Sequence, residues 1–332
     1  MIRRFAAAAL ALWALVLAIP ASAQERWRHE ASGISIAREI GDMRLRDERD
    51  LSGGAGTDIL MQFGSGDTVV TFYVYRPPYP NVALWFERTR IGMGSTVGSD
   101  GVPVRPRSFT FGGASAPNGL REELDVAPGN MMQAKTTAVA MVQLGEWMVK
   151  GRVSSRTLDR AGTAAVMDRL LGAVRVERAP AFVLPIAVPP RCANAGQLSA
   201  SPIPSPDPAA VSAAADGGQA VHLEIRGVGG LAANPQGWCR EVTQVPPQYG
   251  SVYRRQGGAG WVALLGDSAY AVTAERLALP GSADAAVFAS TSATTQLAAL
   301  YDGLPAPDPA IIQALPIVGG REQGLAEVRR RR

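Results

Sequence analysis

The stretch DILMQFGSGDTVVTFYVYRPPYPNVALWFERTR, residues 58–90, decides how the rest of the chain is read. Residues 59–63 and 68–75 are two β-rich runs separated by Gly64, Ser65, Gly66 and Asp67, which is hairpin punctuation. Pro77, Pro78 and Pro80 end the second run, because proline cannot donate to a strand ladder. Asn81 can then cap a helix that carries Val82, Leu84, Trp85, Arg88 and Ile91. A sheet with a helix laid over it is expected. The unit holds no set of residues equipped for chemistry.

Upstream, Arg3 and Arg4 precede an apolar run over residues 5–19, then Pro20 and the small residues Ala21, Ser22 and Ala23. That order reads as a secretory signal cut after Ala23, and the run is short for a span of about 20 residues. A periplasmic or secreted protein is therefore expected. Removal of residues 1–23 leaves 309 of 332 residues, enough for two domains at about 150 each.

Hydrophobic residues make up 47% of the chain, an ordinary share for a globular protein. The formal net charge of +4 rests on Arg3, Arg4 and the four arginines of the tail, residues 329–332. Without them the body is slightly acidic, which argues against a nucleic-acid partner. The tail is read as solvated, with contact to anionic lipid headgroups as the sharper alternative.

Residues 24–178 form the first expected domain. Residues 34–36 close a short hairpin, residues 41–50 form an edge strand, and residues 52–56 a glycine-rich loop without the lysine a phosphate-binding loop requires. Gly92 to Gly98 has the wrong spacing for a dinucleotide fingerprint and ends a helix rather than opening one. Strands are expected at residues 109–111, 120–126, 131–144 and 147–154, and a helix at residues 160–171. In this order, and in Ser32-Gly33-Ile34-Ser35-Ile36, Val69 to Tyr75 and Gly145-Glu146-Trp147-Met148-Val149-Lys150-Gly151-Arg152, the region resembles the Mog1/PsbP-like α/β/α sandwiches of the DUF1795-like type. The resemblance implies an α+β fold, an antiparallel sheet with flanking helices, and an assembly or binding role without catalytic residues.

Residues 179–208 hold eight prolines and read as a stiff linker. Cys192 lies within it, and a bond to Cys239 would strap the linker to the following domain. Residues 209–332 are expected to form a second, smaller α+β domain. Its elements are a short Ala-rich helix, strands at residues 220–226, 238–245, 251–255, 261–265 and 269–279, and helices at residues 291–301 and 309–315, with Asp308 capping the last.

The chain matches no catalytic template in full. Gly266-Asp267-Ser268 looks like the nucleophile block of the GDSL hydrolases, but both histidines, His29 and His222, precede it, and a hairpin turn is the stronger reading. His222 is expected on the polar face of a strand. Two histidines 193 positions apart offer no clustered metal ligands. Glu123 and Asp125 could share a strand face for acid–base work, although such charges usually mark solvent. Asp47, Glu48 and Asp50 could bind calcium, but Arg46 and Arg49 are interleaved with them along the chain and the EF-hand spacing is absent. Catalytic, cofactor and metal residues are therefore not assigned. The expectation is a non-catalytic binding or assembly factor of the bacterial envelope, its partner an envelope protein or a small-molecule ligand, with a serine hydrolase using Ser268 as the alternative.

Overall fold

The computed structural model describes residues 25–97, 105–130, 133–178, 186, 188–193, 198–226, 237–243, 249–255, 257–258, 260–267 and 270–328. The expected signal segment, the arginine tail and Ser268 lie outside the described residues. The fold is mixed α+β, with mostly antiparallel sheets and four helices among the described residues.

Strands β1 (Arg26–His29) and β2 (Ile34–Ala37) form the expected hairpin. Together with β11 (Val174–Val176) they make a separate small sheet in the order β1-β2-β11. The main sheet of the first half contains β3 (Glu39–Ile40), β4 (Met43–Asp50), β5 (Asp58–Ser65), β6 (Thr68–Tyr75), β7 (Arg107–Phe109), β8 (Gly119–Asp125), β9 (Thr136–Leu144) and β10 (Trp147–Ser155). Its spatial order is β3-β4-β5-β6-β10-β9-β8-β7. The hairpin turn falls at Gly66 and Asp67, with Asp58 paired to Tyr75 and Ser65 to Thr68.

Asn81 caps helix α1 (Val82–Val97) as expected, its side-chain oxygen accepting from the amides of Ala83 (3.0 Å) and Leu84 (3.2 Å). The run from Val82 to Arg90 is buried on every side, the pattern of a helix enclosed by protein. Helix α2 (Arg160–Ala173) covers the opposite face of the main sheet, capped by Asp159, which accepts from the Gly162 amide.

The second half is a sequential antiparallel sheet. It runs through β12 (Trp238–Arg240), β13 (Gly250–Arg255), β14 (Gly260–Leu265), β15 (Tyr270–Arg276), β16 (Ala285–Ser290), β17 (Thr295–Tyr301) and β18 (Ala326–Glu327). Helix α3 (Pro208–Arg226) packs over β16 and β17 through Ala210 and Ala214, and α4 (Pro307–Val318) seals the other face through Ile311, Ala314 and Ile317.

Three expectations for this half are corrected. Residues 220–226 are not a strand but continue α3. In the sequence, Val221 and Ile225 extend the three- and four-residue spacing set by Ala210, Ala214 and Gly218, a helical period that outweighs the local alternation. Residues 291–301 are not a helix. Thr291 to Thr294 form a turn, closed by the Thr291 amide donating to the Thr294 carbonyl at 2.8 Å, and β17 follows, paired to a strand, β16, that the sequence reading omitted. β16 is buried on both faces, and in β17 only Gln296 and Ala298 are partly exposed, so neither strand carries a charged, solvent-facing alternation. Asp308 is not the cap of α4. That position is Ala306, and Asp308 sits in the first turn behind Pro307.

Helix α1 lies between the two large sheets. Tyr75, Val139, Met141 and Met148 of the first sheet, Trp85 and Phe86 of α1, and Tyr253, Val262 and Leu264 of the second belong to one continuous core. The Tyr253 hydroxyl donates to the Leu84 carbonyl at 3.1 Å, and the Thr57 hydroxyl donates to Ser292 at 2.9 Å across the same junction.

Candidate functional site

Polar groups concentrate where β6, β10, α1 and the β14–β15 turn converge. On β6 and β10, residues two apart share a face, and the register sets Lys150 opposite Tyr73, Arg152 opposite Thr71 and Ser154 opposite Val69. From the second sheet, Gly266 takes a left-handed conformation (φ 64°) that makes the β14–β15 turn tight and brings Asp267 onto Lys150.

The Lys150 ammonium donates to the Asp267 carbonyl at 2.6 Å and lies 3.0 Å from its carboxylate. It also stands 4.1 Å from the Tyr73 ring centroid, a cation–π contact. The Lys150 side chain is 2% exposed and that of Asp267 57%, so the pair has one partner in protein and one at the edge of solvent. Burial lowers the Lys150 pKa, with Asp267 and then Asp58 opposing the shift. Burial pushes the Tyr73 phenol up to about 12, reinforced by Asp267. Arg152 is also lowered by burial, with Asp267 and Tyr73 restoring part of the loss.

These groups surround a cavity of about 90 Å³. Thr89, whose hydroxyl lies 3.5 Å from the Asp267 carboxylate, and Met93 close it from α1. Val69, 48% exposed, stands at its rim. Its lining carries two cations, one carboxylate, three aliphatic hydroxyls and a phenol, and the buried Asp58 acts on Lys150 as a second carboxylate.

A second polar cluster ties α1 to the linker. Glu87 is buried 3.4 Å from Arg240, and burial pushes its carboxyl up to about 7, with Arg240, Tyr253 and Arg191 opposing. Arg90 donates to Glu122 at 3.0 Å on the side of the first sheet.

The disulfide between Cys192 and Cys239 is present, with Cα atoms 4.8 Å apart. Cys192 donates its amide to the Arg240 carbonyl at 2.9 Å, and Arg240 returns a bond to the Pro190 carbonyl at 2.7 Å, so the proline-rich segment runs beside β12. Such a bond belongs to an oxidising, extracellular compartment.

The other candidate residues are engaged elsewhere. Glu123 pairs with Arg107 and Arg121, each at 2.7 Å, and Asp125 with Arg160 at 2.8 Å, so the two carboxylates do not act on a common point. Asp47 pairs with Arg49, Glu48 accepts from the Trp27 indole, and Asp50 accepts from the amides of Ser52 and Gly56, which shapes the glycine loop. Among the described residues no group of three or more His, Cys, Asp or Glu side chains is placed to hold a metal ion.

The His29 Nε2 donates to the Gly56 carbonyl at 2.8 Å and its Nδ1 lies 2.8 Å from the Ser32 hydroxyl, so the ring ties the first hairpin to that loop. The expected surface strand position of His222 is replaced by helix α3. Among the described residues, no helix is long and apolar enough to cross a membrane.

The Lys150–Arg152 site was missed because its acidic partner, Asp267, lies 117 residues from Lys150 in the sequence. The signal that distinguishes it is their place in a strand that also carries Trp147, Met148, Val149 and Val153. No family model matches the chain, and no curated protein matches it.

Proposed function

We propose that the protein is an exported, non-catalytic binding or assembly factor of the bacterial envelope, periplasmic or secreted, with its ligand seated at the junction of the two sheets. One observation carries this reading: the cavity at Lys150 and Arg152 is walled by both halves of the chain, with Asp267 reaching it from the second sheet. Ligand sites favour such junctions. The eight-stranded sheet, with α1 on one face and α2 on the other, supports placing the first half with the Mog1/PsbP-like sandwiches, and the disulfide supports export.

The test is purification of the mature protein from crosslinked native envelope, with mass spectrometry of what accompanies it. A reproducible protein or small-molecule companion is expected. Turnover of a substrate that disappears on replacing one hydroxyl or acidic residue would overturn the reading in favour of a hydrolase. Labelling by a serine-directed probe, lost in Ser268→Ala, would identify that hydrolase.

A further inference from the structure

We propose that the outer face of α4 rests on an anionic lipid bilayer, with Arg321 and the arginines of residues 329–332 meeting its headgroups. The inference concerns a surface other than the junction cavity and adds a partner to the binding-factor reading without depending on it.

A helix at a protein surface turns one apolar stripe to the core and a polar face to water. Helix α4 is apolar on both sides. Ile311, Ala314 and Ile317 pack on the second sheet, whereas Ile312 is 68% and Leu315 41% exposed. Pro309, Ile312, Pro316 and Gly319 recur at spacings of three and four, so they share one outward stripe. Asp308, in the first turn, is the single charged residue of the helix. Contiguous apolar stripes left open to solvent mark contact with another protein or a membrane. The stripe is held in place, because the Trp261 indole donates to the Pro305 carbonyl at 2.8 Å and the Tyr301 hydroxyl to Gln313 at 2.6 Å. At 12 residues, α4 can lie on a bilayer but is too short to span one.

Charge favours lipid as the occupant. Over residues 319–332 five arginines stand against two carboxylates, Glu322 and Glu327. Asp302 and Asp308 belong to the opposite end of the helix. Arg321 lies beside the stripe, since a Cβ built on Gly319 would be 3.7 Å from its guanidinium Nε. The amides of Leu325 and Val328 donate to the carbonyls of Leu297 (2.7 Å) and Thr295 (2.9 Å), which binds the chain along β17 up to the residue before Arg329. Helix α4 covers the same strand at Ala299 and Tyr301. The arginines therefore begin at the margin of the sheet that carries α4. Basic residues strengthen binding to anionic lipid, and apolar side chains add to it by leaving water.

The test is cosedimentation of the mature oxidised protein with phosphatidylcholine vesicles, with and without phosphatidylglycerol, at low and at high salt. Binding to the anionic vesicles, weakened by salt, is expected. Ile312→Glu should weaken it about tenfold or more, because a charge replaces an aliphatic group that the bilayer would bury. Leu315→Gln should weaken it about threefold or more and supplies an uncharged second variant. Both positions are exposed, so the thermal midpoints should stay close to that of the native protein. Arg329→Ser, Arg330→Ser, Arg331→Ser and Arg332→Ser together should weaken binding about tenfold or more.

Absence of binding to anionic vesicles overturns the inference. Binding that is lost without the arginines yet unchanged in both α4 variants also overturns it, because the tail would then be the whole contact. An oligomer that dissociates in Ile312→Glu, without vesicle binding, assigns the face to a second copy of the chain and overturns it too. A companion retained from native envelope would leave the binding-factor reading standing in each of these cases, and enzymatic turnover with α4-dependent vesicle binding would do the reverse.

Discussion

Lys150 and Asp267 form an ion pair whose two ends differ in what happens when the other is removed. Asp267 is largely exposed, so its carboxylate can be taken up by water if Lys150 becomes methionine, and the thioether chain can fill the apolar part of the site. Lys150 is almost fully buried, so Asp267→Ala leaves an ammonium in a low-dielectric site with its carbonyl and ring contacts and the weaker attraction of Asp58. Stranding a buried charge costs about 3–5 kcal/mol, whereas replacing the buried charges of a pair by apolar groups is often close to neutral. Denaturant unfolding should therefore find Asp267→Ala less stable than Lys150→Met by about 2 kcal/mol or more. Equal losses would mean that the pair is not desolvated.

Glu87 offers a pH test of the second cluster. Its folded pKa lies at about 7, above the ordinary 4.5, so the folded state holds the proton more tightly than the unfolded chain. Its contribution to stability is fully present below pH 4.5 and is lost as pH rises through about 7. The loss is on the order of 3 kcal/mol at most. Arg240, Arg191 and Tyr253 face it and set how much of that remains. Stability of Glu87→Gln measured from pH 4.5 to 8 should fall less than that of the native protein.

At the scale of elements, the close approach of α3 to β16 depends on Gly218. A Cβ built there would lie 2.4 Å from the Phe288 ring, too close to exist without movement. Gly218→Ala gains about 1 kcal/mol in helix propensity and loses about 1–3 kcal/mol to overpacking, so a net loss is expected. Thermal unfolding of the double variant with Phe288→Leu should recover part of it. Additive losses would show that the helix shifts instead.

How far an element could be read from sequence follows from its surroundings. The hairpin of β5 and β6 and the helix after it were legible because turn glycines, prolines and an Asn cap are local signals. Helix α3 and strand β17 were misread because their partners are remote. Gly218 is understood only beside Phe288, and residues 295–301 form a strand sandwiched between α3 and α4. The candidate site was illegible for the same reason, since Lys150 and Asp267 are 117 residues apart and their meeting depends on how the second sheet docks.

For the whole molecule, α1 makes two sheets into one core. Trp85 is fully buried, touches Tyr75 edge-on at a centroid distance of 6.1 Å, and donates its indole to the Tyr79 carbonyl at 2.7 Å, while Tyr79 stacks edge-on against Trp238 of the second sheet. Trp85→Ala should cost about 3–5 kcal/mol and lower the resistance of both halves together. The disulfide adds a covalent strap across a 47-residue separation, worth about 4 kcal/mol in the chain-entropy account, so reduction should lower the midpoint without splitting the transition.

A site shared between the sheets requires that they remain docked, and native-state hydrogen exchange measures this directly. The protected amides of β9 and β10 in the first sheet and of β14 and β15 in the second should open with a common free energy, equal to that of global unfolding. If β14 and β15 exchange through a lower-energy opening while β9 and β10 stay protected, the second sheet detaches on its own. The junction that is held here to bind ligand would then not be a permanent part of the fold.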